Sequence, residues 1–134
     1  MRKFLILIAA LFISQGCQLG ANAGNFPVAH RVNGATLRIV TKSQRFDGEL
    51  LEVRDNGIVV SRKDGQVVLV PWLVTQNVSA PGLGRDFSYG FLMPPSRSTI
   101  PNLVKVSHFP QGMSPEIEAR LLASRGQKEI VVIQ

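Results

Sequence analysis

Apolar and polar residues alternate along the middle of the chain, from Thr36 to Ala80. In 36–41, Leu37 and Ile39 share one face, and this period of two is typical of a half-buried strand. The same kind of pattern covers 45–54, 58–62, 66–70 and 75–79. The sequence therefore predicts five short strands in this central stretch.

The longest of these strands, 45–54, breaks its own alternation. Leu50, Leu51 and Val53 are all apolar. A β-bulge between Leu50 and Glu52 would turn both Leu50 and Val53 inward, because the extra residue shifts the face. Gly48 has no side chain, so the backbone there can bend or let a neighbouring strand approach closely. We therefore expect a strongly bent strand.

Three turn signals separate the predicted strands. Asp55-Asn56-Gly57 predicts a tight hairpin, because Asn-Gly accepts positive φ at both central positions. Lys63-Asp64-Gly65 predicts a second tight turn by the same chemistry. Pro71 cannot donate a ladder hydrogen bond, so a strand should end there and residues 72–74 should form a short turn.

This order of elements resembles the small barrels of the Sm-like and SH3-like type, over about residues 36–80. The resemblance rests on an x-Phe-x-Gly-x-Leu pattern, an acidic turn and a short turn before the final strand: Phe46, Gly48 and Leu50; Asp55-Asn56-Gly57; and Pro71-Trp72-Leu73. It implies that residues 35–80 fold as a small, strongly bent, five-stranded barrel. Phe46 and Trp72 would then fill the barrel core.

RNA binding does not follow from this resemblance. Sm proteins carry RNA-contacting residues in the loops after the third and fourth strands, but here those loops hold Lys63-Asp64-Gly65 and Pro71-Trp72. They lack the Asn and the Arg-Gly pair that would contact bases. The formal net charge is +6, but the charged residues are scattered in ones and twos rather than clustered in a stripe.

The N-terminus has the pattern of a secretory signal peptide. A positive start precedes an apolar run at residues 4–13, which is shorter than the roughly 20 residues that a membrane-spanning helix needs. Two cleavage sites compete. Residues 13–17 resemble the lipobox of bacterial lipoproteins, which implies a signal peptide at 1–16. Ala21-Asn22-Ala23 is an A-x-A site, which implies a signal peptide at 1–23.

The single cysteine favours the lipobox. Cys17 is the only cysteine in the chain, and an odd cysteine in an exported protein needs a reason, which lipidation gives. Residues 17–34 would then be a flexible tether. Stable anchoring takes more than one acyl chain, so the resemblance implies a multiply acylated Cys17. We expect an exported protein of the cell envelope, membrane-anchored or periplasmic. The alternative is secretion after cleavage following Ala23.

Residues 81–102 are rich in Pro, Gly and Ser and predict a long loop. Large apolar side chains lie within it, among them Phe87, Tyr89, Phe91 and Met93. We favour packing of these side chains against the barrel. The other interpretation is an exposed surface for a partner.

The segment 103–134 predicts a β-α-β extension. Residues 103–109 alternate as a strand, Ser114 followed by Pro115 is a helix start with a serine N-cap, and 129–133 is a second strand. A unit of this size cannot bury a core alone, so we expect it to dock on the barrel.

No catalytic, metal-binding or cofactor-binding set stands out in the sequence. The two histidines, His30 and His108, have no partner at metal-ligand spacing and are interpreted as ordinary surface or loop residues. Asp47 and Glu49 share a strand face, which suggests a carboxylate pair, but ion pairing is the better account. The expected cross-strand partners are Arg38, Arg45 and Arg54.

We therefore expect a non-catalytic interaction or structural module of the cell envelope, anchored through Cys17 and contacting an envelope protein. One alternative is a small-ligand binder or enzyme with a site between barrel and extension, holding His30 or His108 beside an acidic residue. A third reading, a nucleic-acid binder of the Sm type, is opposed by export. The sequence leaves the oligomeric state open.

Overall fold

The structure, a computed structural model, describes residues 33–90 and 98–134. The predicted signal peptide with both cleavage sites, Cys17 and His30 lie outside the described residues, as do Phe91 and Met93. The predictions for these residues stay predictions.

One sheet of seven strands is the main element of the described residues, and it runs in the order β6-β5-β1-β2-β3-β4-β7. All neighbours pair antiparallel except β4 and β7, which are parallel. The strands are β1 (Thr36–Thr41), β2 (Arg45–Arg54), β3 (Gly57–Arg62), β4 (Val67–Pro71), β5 (Thr75–Ser79), β6 (Tyr89–Gly90) and β7 (Val131–Val132). The helices are a 3₁₀ helix (Arg85–Phe87), α1 (Thr99–Lys105) and α2 (Pro115–Ser124). The predicted mainly β class is confirmed.

The sheet is not closed into a barrel, so the predicted five-stranded barrel is not confirmed. The bounds of β1, β2 and β5 agree with the sequence prediction, whereas β3 begins one residue earlier and β4 is shifted by one residue at both ends. The difference lies at the edges. The outer edge of β5 pairs with β6, and the outer edge of β4 pairs with β7, instead of β4 and β5 pairing with each other.

The predicted bulge in β2 is confirmed. Leu50 pairs with Val60 and Glu52 pairs with Val59, so Leu51 is the extra residue. Leu50 is fully buried, and Val53 packs against the same core cluster. Leu51 instead packs on the opposite face of the sheet. The bulge thus lets one strand supply apolar side chains to both faces.

The close approach predicted at Gly48 is also confirmed. Gly48 pairs with Leu37 on one side and Arg62 on the other. A Cβ at this position would lie 2.4 Å from Val60 Cγ1 and 2.8 Å from the Ser61 carbonyl oxygen. Only glycine fits between β2 and β3 without moving them.

The two predicted hairpins form, but one glycine has a different role. Gly57 is the first residue of β3, and its φ lies outside the left-handed region, so the predicted positive φ is wrong there. Gly57 is needed because a Cβ would lie 2.2 Å from the Val70 carbonyl oxygen. Gly65 does have φ 89°, and the Gln66 N–H donates to Asp64 Oδ1 at 2.9 Å, which fixes the second turn.

Both faces of the sheet are covered. The inner core contains Leu37, Ile39, Leu50, Val60 and other strand residues, packed with Phe87 of the 3₁₀ helix and Leu103 of α1. The outer cluster contains Leu51, Val59, Val67 and Leu69, packed with Leu122 of α2. The partly buried Phe46 and Trp72 pack against the inner core, as expected.

Residues 103–109 do not form the predicted strand. They are the end of α1 and the turn after it. The buried residues Thr99, Leu103 and Val106 follow a helical spacing, and an apolar run of this length fits either period until tertiary packing decides. Pro101 lies in the first turn of α1, where its missing N–H would have no partner within the helix.

The helix predicted in the extension is confirmed as α2. Ser114 is the N-cap of α2, its Oγ accepts from the Ile117 N–H at 3.3 Å, and Pro115 is the first helical residue. The predicted strand at 129–133 shortens to the two residues of β7. The extension is therefore two helices and a short strand rather than β-α-β, and it docks on the sheet through Leu122.

Candidate functional site

A histidine–carboxylate contact joins β2 to the segment after α1. His108 Nδ1 lies 2.7 Å from Glu49 Oε1, which also accepts from the Gly34 N–H at 2.8 Å. The His108 backbone N–H donates to the Leu50 carbonyl oxygen at 2.9 Å. The His108 ring stacks on Phe109 with centroids 4.3 Å apart. His108 is thus held by specific partners, contrary to its interpretation as an ordinary loop residue.

This pair has the geometry to orient an imidazole. A carboxylate on Nδ1 fixes the tautomer that leaves Nε2 as the proton acceptor. The side chains of His108 and Glu49 are 32% and 29% exposed. Within the described residues, His108 makes no hydrogen bond to a serine, threonine or cysteine side chain. The pair therefore links two segments of the fold.

A second polar network ties β2 to α2. Glu52 is only 8% exposed and accepts from Arg54 Nε at 2.8 Å and from the Met113 N–H at 3.0 Å. Arg54 Nη2 lies 2.6 Å from Glu118 Oε2. Burial alone would lower the pKa of Arg54, but the hydrogen bonds and charges of Glu52 and Glu118 outweigh it and raise the pKa. The charged form of Arg54 is therefore favoured in the fold.

The predicted cross-strand ion pairs form for Asp47 only. Arg38 Nε lies 3.5 Å from Asp47 Oδ1, and Lys63 Nζ lies 3.8 Å from Asp47 Oδ2. Glu49 binds His108 instead of an arginine, and Arg54 binds Glu52 and Glu118. Asp47 and Glu49 therefore do not act as a pair, because each is held by its own partners.

A cleft, termed here the α2 cleft, lies between the sheet and the C-terminal end of α2. It consists of two cavities of about 260 and 430 Å³ that share Arg125. The smaller is lined by Thr36, Gly48, Glu49, Ser61, Arg62, Lys63 and Arg125, and the larger by Asp64, Gly65, Gln66, Ser124, Arg125 and Gln127. The alternative prediction from sequence placed a ligand site between the barrel and the extension, with His30 or His108 in it. The α2 cleft lies between the sheet and the extension, but His108 does not line it.

An apolar surface lies on the turn between β4 and β5. It consists of Trp72, Leu73 and Tyr89 and is termed here the Leu73 surface. Leu73 is 90% exposed. Trp72 and Tyr89 are half-buried, and their rings meet edge to face with centroids 5.6 Å apart. The Trp72 N–H donates to the Asn56 carbonyl oxygen at 3.0 Å, which holds the turn against the neighbouring hairpin.

The four residues that the sequence analysis considered for a partner surface have different locations. Phe87 is fully buried in the inner core and offers nothing to a partner. Tyr89 is half-buried and joins the Leu73 surface. Phe91 and Met93 lie outside the described residues. Leu73 was not singled out from the sequence. The signal for it was its position in a predicted turn, because turns lie on the surface and an apolar side chain there is expected to be exposed.

Residues 33–90 and 98–134 contain no group of three or more His, Cys, Asp or Glu arranged to hold a metal ion. In the same residues, every helix is too short or too polar to cross a bilayer. Comparison of the chain with models of protein families, with curated proteins and with solved structures finds no match.

Proposed function

We propose that the chain is a non-catalytic interaction module of the cell envelope, held at a membrane by lipid on Cys17. The observation that carries this proposal is the Leu73 surface, where a leucine that is 90% exposed follows Trp72 in the turn and the half-buried Trp72 ring contacts that of Tyr89. A contiguous apolar patch marks a contact site more often than a scattered apolar residue does. The signal-peptide pattern and the lone cysteine support the location.

The partner that fits this surface is an envelope protein with an apolar pocket for one leucine side chain. Tryptophan and tyrosine are enriched among the residues that dominate binding energy, and each has a polar group for the rim of a contact. The Leu73 surface contains no charged residue, so its affinity for the partner should vary little with salt.

Site-specific crosslinking in intact cells tests this surface. A photo-reactive residue at the exposed Gln76, on β5 close to the turn, should give one discrete adduct with a membrane-fraction protein. Leu73→Gln should remove the adduct, because it removes the apolar side chain that enters the partner. Ile117→Gln changes an exposed isoleucine on α2 and should leave the adduct unchanged.

Two results would contradict the interaction proposal. One is an adduct whose yield is the same with and without Leu73→Gln. The other is enzymatic turnover by the purified chain.

The anchor is tested separately by the mass of the mature N-terminus in the native host. An acylated Cys17 supports the lipid anchor, whereas a free Gly24 rejects it and indicates cleavage after Ala23. Cys17→Ser should move the protein from the membrane fraction to the soluble fraction.

The strand order β5-β1-β2-β3-β4 supports the further proposal that residues 35–80 are an Sm-like or SH3-like unit in an opened form. The two-residue strands at its edges are the feature that sets it apart from a closed barrel.

A further inference from the structure

The outer face of β1 is open to solvent in the part of the chain that the structure describes. Leu37 and Ile39 are fully buried in the inner core, so Arg38 between them lies on the outer face. The Arg38 side chain is 55% exposed. The outer cluster under α2 is built from β2, β3 and β4, and β1 contributes no residue to it. The helix therefore packs beside β1 and does not bury Arg38.

Three more charged side chains share this face with Arg38. Arg45 and Asp47 lie on it because both pair in register with outward-facing residues of β1. Lys63 also reaches it, since its Nζ lies 3.8 Å from Asp47 Oδ2. Arg38 Nε lies 3.5 Å from Asp47 Oδ1, so this carboxylate faces two cations. Arg45 is exposed and makes no ion pair within residues 33–90 and 98–134.

Two further cations border this row of side chains. Lys42 is exposed in the turn between β1 and β2. Arg125, at the C-terminal end of α2, lines the smaller cavity of the α2 cleft together with Lys63 and Glu49. The whole surface is termed here the basic face, and it comprises Arg38, Lys42, Arg45, Lys63 and Arg125 with the carboxylates of Asp47 and Glu49.

The basic face keeps an excess of positive charge after its ion pairs are counted. It holds five cations and two carboxylates, whereas the other described residues hold six cations and seven carboxylates. Glu49 accepts from the Gly34 N–H and contacts His108 Nδ1, so it makes no ion pair with a cation of the face. Positive charge is therefore concentrated on this one surface.

We propose that the basic face lies against a membrane surface of anionic phospholipids. The inference rests on the lipid anchor proposed for Cys17, because only about 16 residues of predicted tether separate Cys17 from Asn33. A flexible tether of that length has a mean end-to-end distance of about 20–24 Å. The fold then stays close to the headgroups, so a face that attracts them weakly is still occupied. Each basic residue near such a surface strengthens the attraction about fivefold.

A bilayer matches the basic face better than an acidic protein does. The five cations come from two strands, two turns and the end of one helix, and they do not converge on one pocket. Mobile anionic headgroups can collect opposite charges that are spread in this way, whereas a protein would need carboxylates at matching fixed positions. The Leu73 surface contains no charged residue and is not part of this contact.

The test uses the ¹⁵N-labelled full chain, produced in a bacterial host that acylates lipoproteins and reconstituted in lipid nanodiscs. One set of discs contains phosphatidylcholine only, and the other contains about 30% phosphatidylglycerol. Both sets include a trace of lipid with a gadolinium chelate on its headgroup, which broadens the amide signals of residues near the membrane. In the anionic discs, Arg38 and its neighbour Asn77 on β5 should broaden several-fold more than Gly112, which lies beside Glu52 near the other end of β2. In the neutral discs, the three signals should broaden alike.

Two matched variants locate the contact. Arg45→Gln should reduce the extra broadening of the Arg38 signal about fivefold, because it removes one cation from the basic face. Arg85→Gln removes the same charge from an exposed position of the 3₁₀ helix, which packs on the inner core through Phe87. This control should leave the broadening almost unchanged, because charges farther than about 10 Å from the membrane are screened.

Three results would overturn the contact: equal broadening in the two kinds of disc, equal effects of the two variants, or the strongest broadening at Leu73, which would place that turn at the membrane instead. The anchor can fail separately. A chain that stays in the neutral and anionic discs with no preferred face keeps the anchor and overturns the contact. A chain that leaves the neutral discs but binds the anionic ones through Arg38 keeps the contact and overturns the anchor, and a chain that leaves both overturns both.

Discussion

Replacing Gly48 with alanine should destabilise the sheet, because β2 and β3 pass too close together for a side chain. The added Cβ would lie 2.8 Å from the Ser61 carbonyl oxygen, whereas ordinary contact begins near 3.4 Å. The strands would have to separate locally by about 0.6 Å out of a normal spacing of about 4.8 Å. The second clash, 2.4 Å from Val60 Cγ1, is hard to relieve, because Val60 is fully buried and its χ1 is stiff.

Two effects of opposite sign set the size of the Gly48→Ala change. Overpacking a tight site costs about 1–3 kcal/mol. Alanine in place of glycine inside a strand gains about 0.5–1 kcal/mol, because the unfolded chain has less entropy to lose. The free energy of unfolding should therefore fall by about 1 kcal/mol, within a range that reaches about 2.5 kcal/mol, and the urea midpoint by about 0.5–1 M.

Urea unfolding of the full chain measures this loss, with the fluorescence of Trp72, the single tryptophan, as the probe. Gly90→Ala is the matched control, because a Cβ there meets Asn77 Nδ2 and the Gln76 carbonyl oxygen at an ordinary 3.5 Å. The control should be as stable as the parent or slightly more stable. The close-approach explanation fails if Gly48→Ala keeps the parent midpoint, or if Gly90→Ala loses as much.

Three further changes test other parts of the fold. Glu52→Ala should lower the free energy of unfolding by about 2–3 kcal/mol in urea titrations, because it leaves the partly buried Met113 N–H and the Arg54 guanidinium each short of a partner. The control Glu116→Ala, at an exposed position, should change it by less than about 0.5 kcal/mol. Leu122→Ala should cost about 2–4 kcal/mol by the same assay, because this side chain is 5% exposed in the outer cluster, whereas Ile117→Ala at 39% exposure should cost under about 1 kcal/mol. Deletion of residues 130–134 should leave the edge of β4 unpaired and produce oligomers in light scattering, and a monomeric truncated chain would contradict that role of β7.

Local chemistry made much of the sheet predictable from sequence. The period of two and the turn residues placed β1 to β5 within one residue of their bounds, and the run Leu50-Leu51 with Val53 predicted the bulge. Ser114 and Pro115 predicted the start of α2 because capping is a local effect. Where the signal lies within a few residues, the sequence was sufficient.

Long-range packing decided what could not be predicted. The run at 103–109 fits a strand and a helix equally well, and its burial against the inner core selects the helix. Closure of the barrel would require β4 and β5 to pair with each other, but their outer edges pair with β7 and β6 instead. No local sequence pattern predicts which segment pairs with a strand edge. The contact of Glu49 with His108 crosses 59 residues, so the expected arginine partner was wrong. The α2 cleft likewise combines Arg62 and Arg125 from distant segments.

The edge strand β7 also has a kinetic meaning. It is held to β4 by the pairs Val68↔Val131 and Leu69↔Val132, with one more hydrogen bond from the Ile133 N–H to Leu69. Beyond these bonds the segment is secured by Ile133, which is 6% exposed in the inner core, but so short a strand still opens with a smaller free energy than the whole sheet. We therefore expect β7 to detach more often than the protein unfolds. Every detachment exposes an apolar strand edge that can pair with another chain. We therefore expect aggregation of a concentrated solution to begin at this edge, through opening of β7, while the rest of the protein remains native.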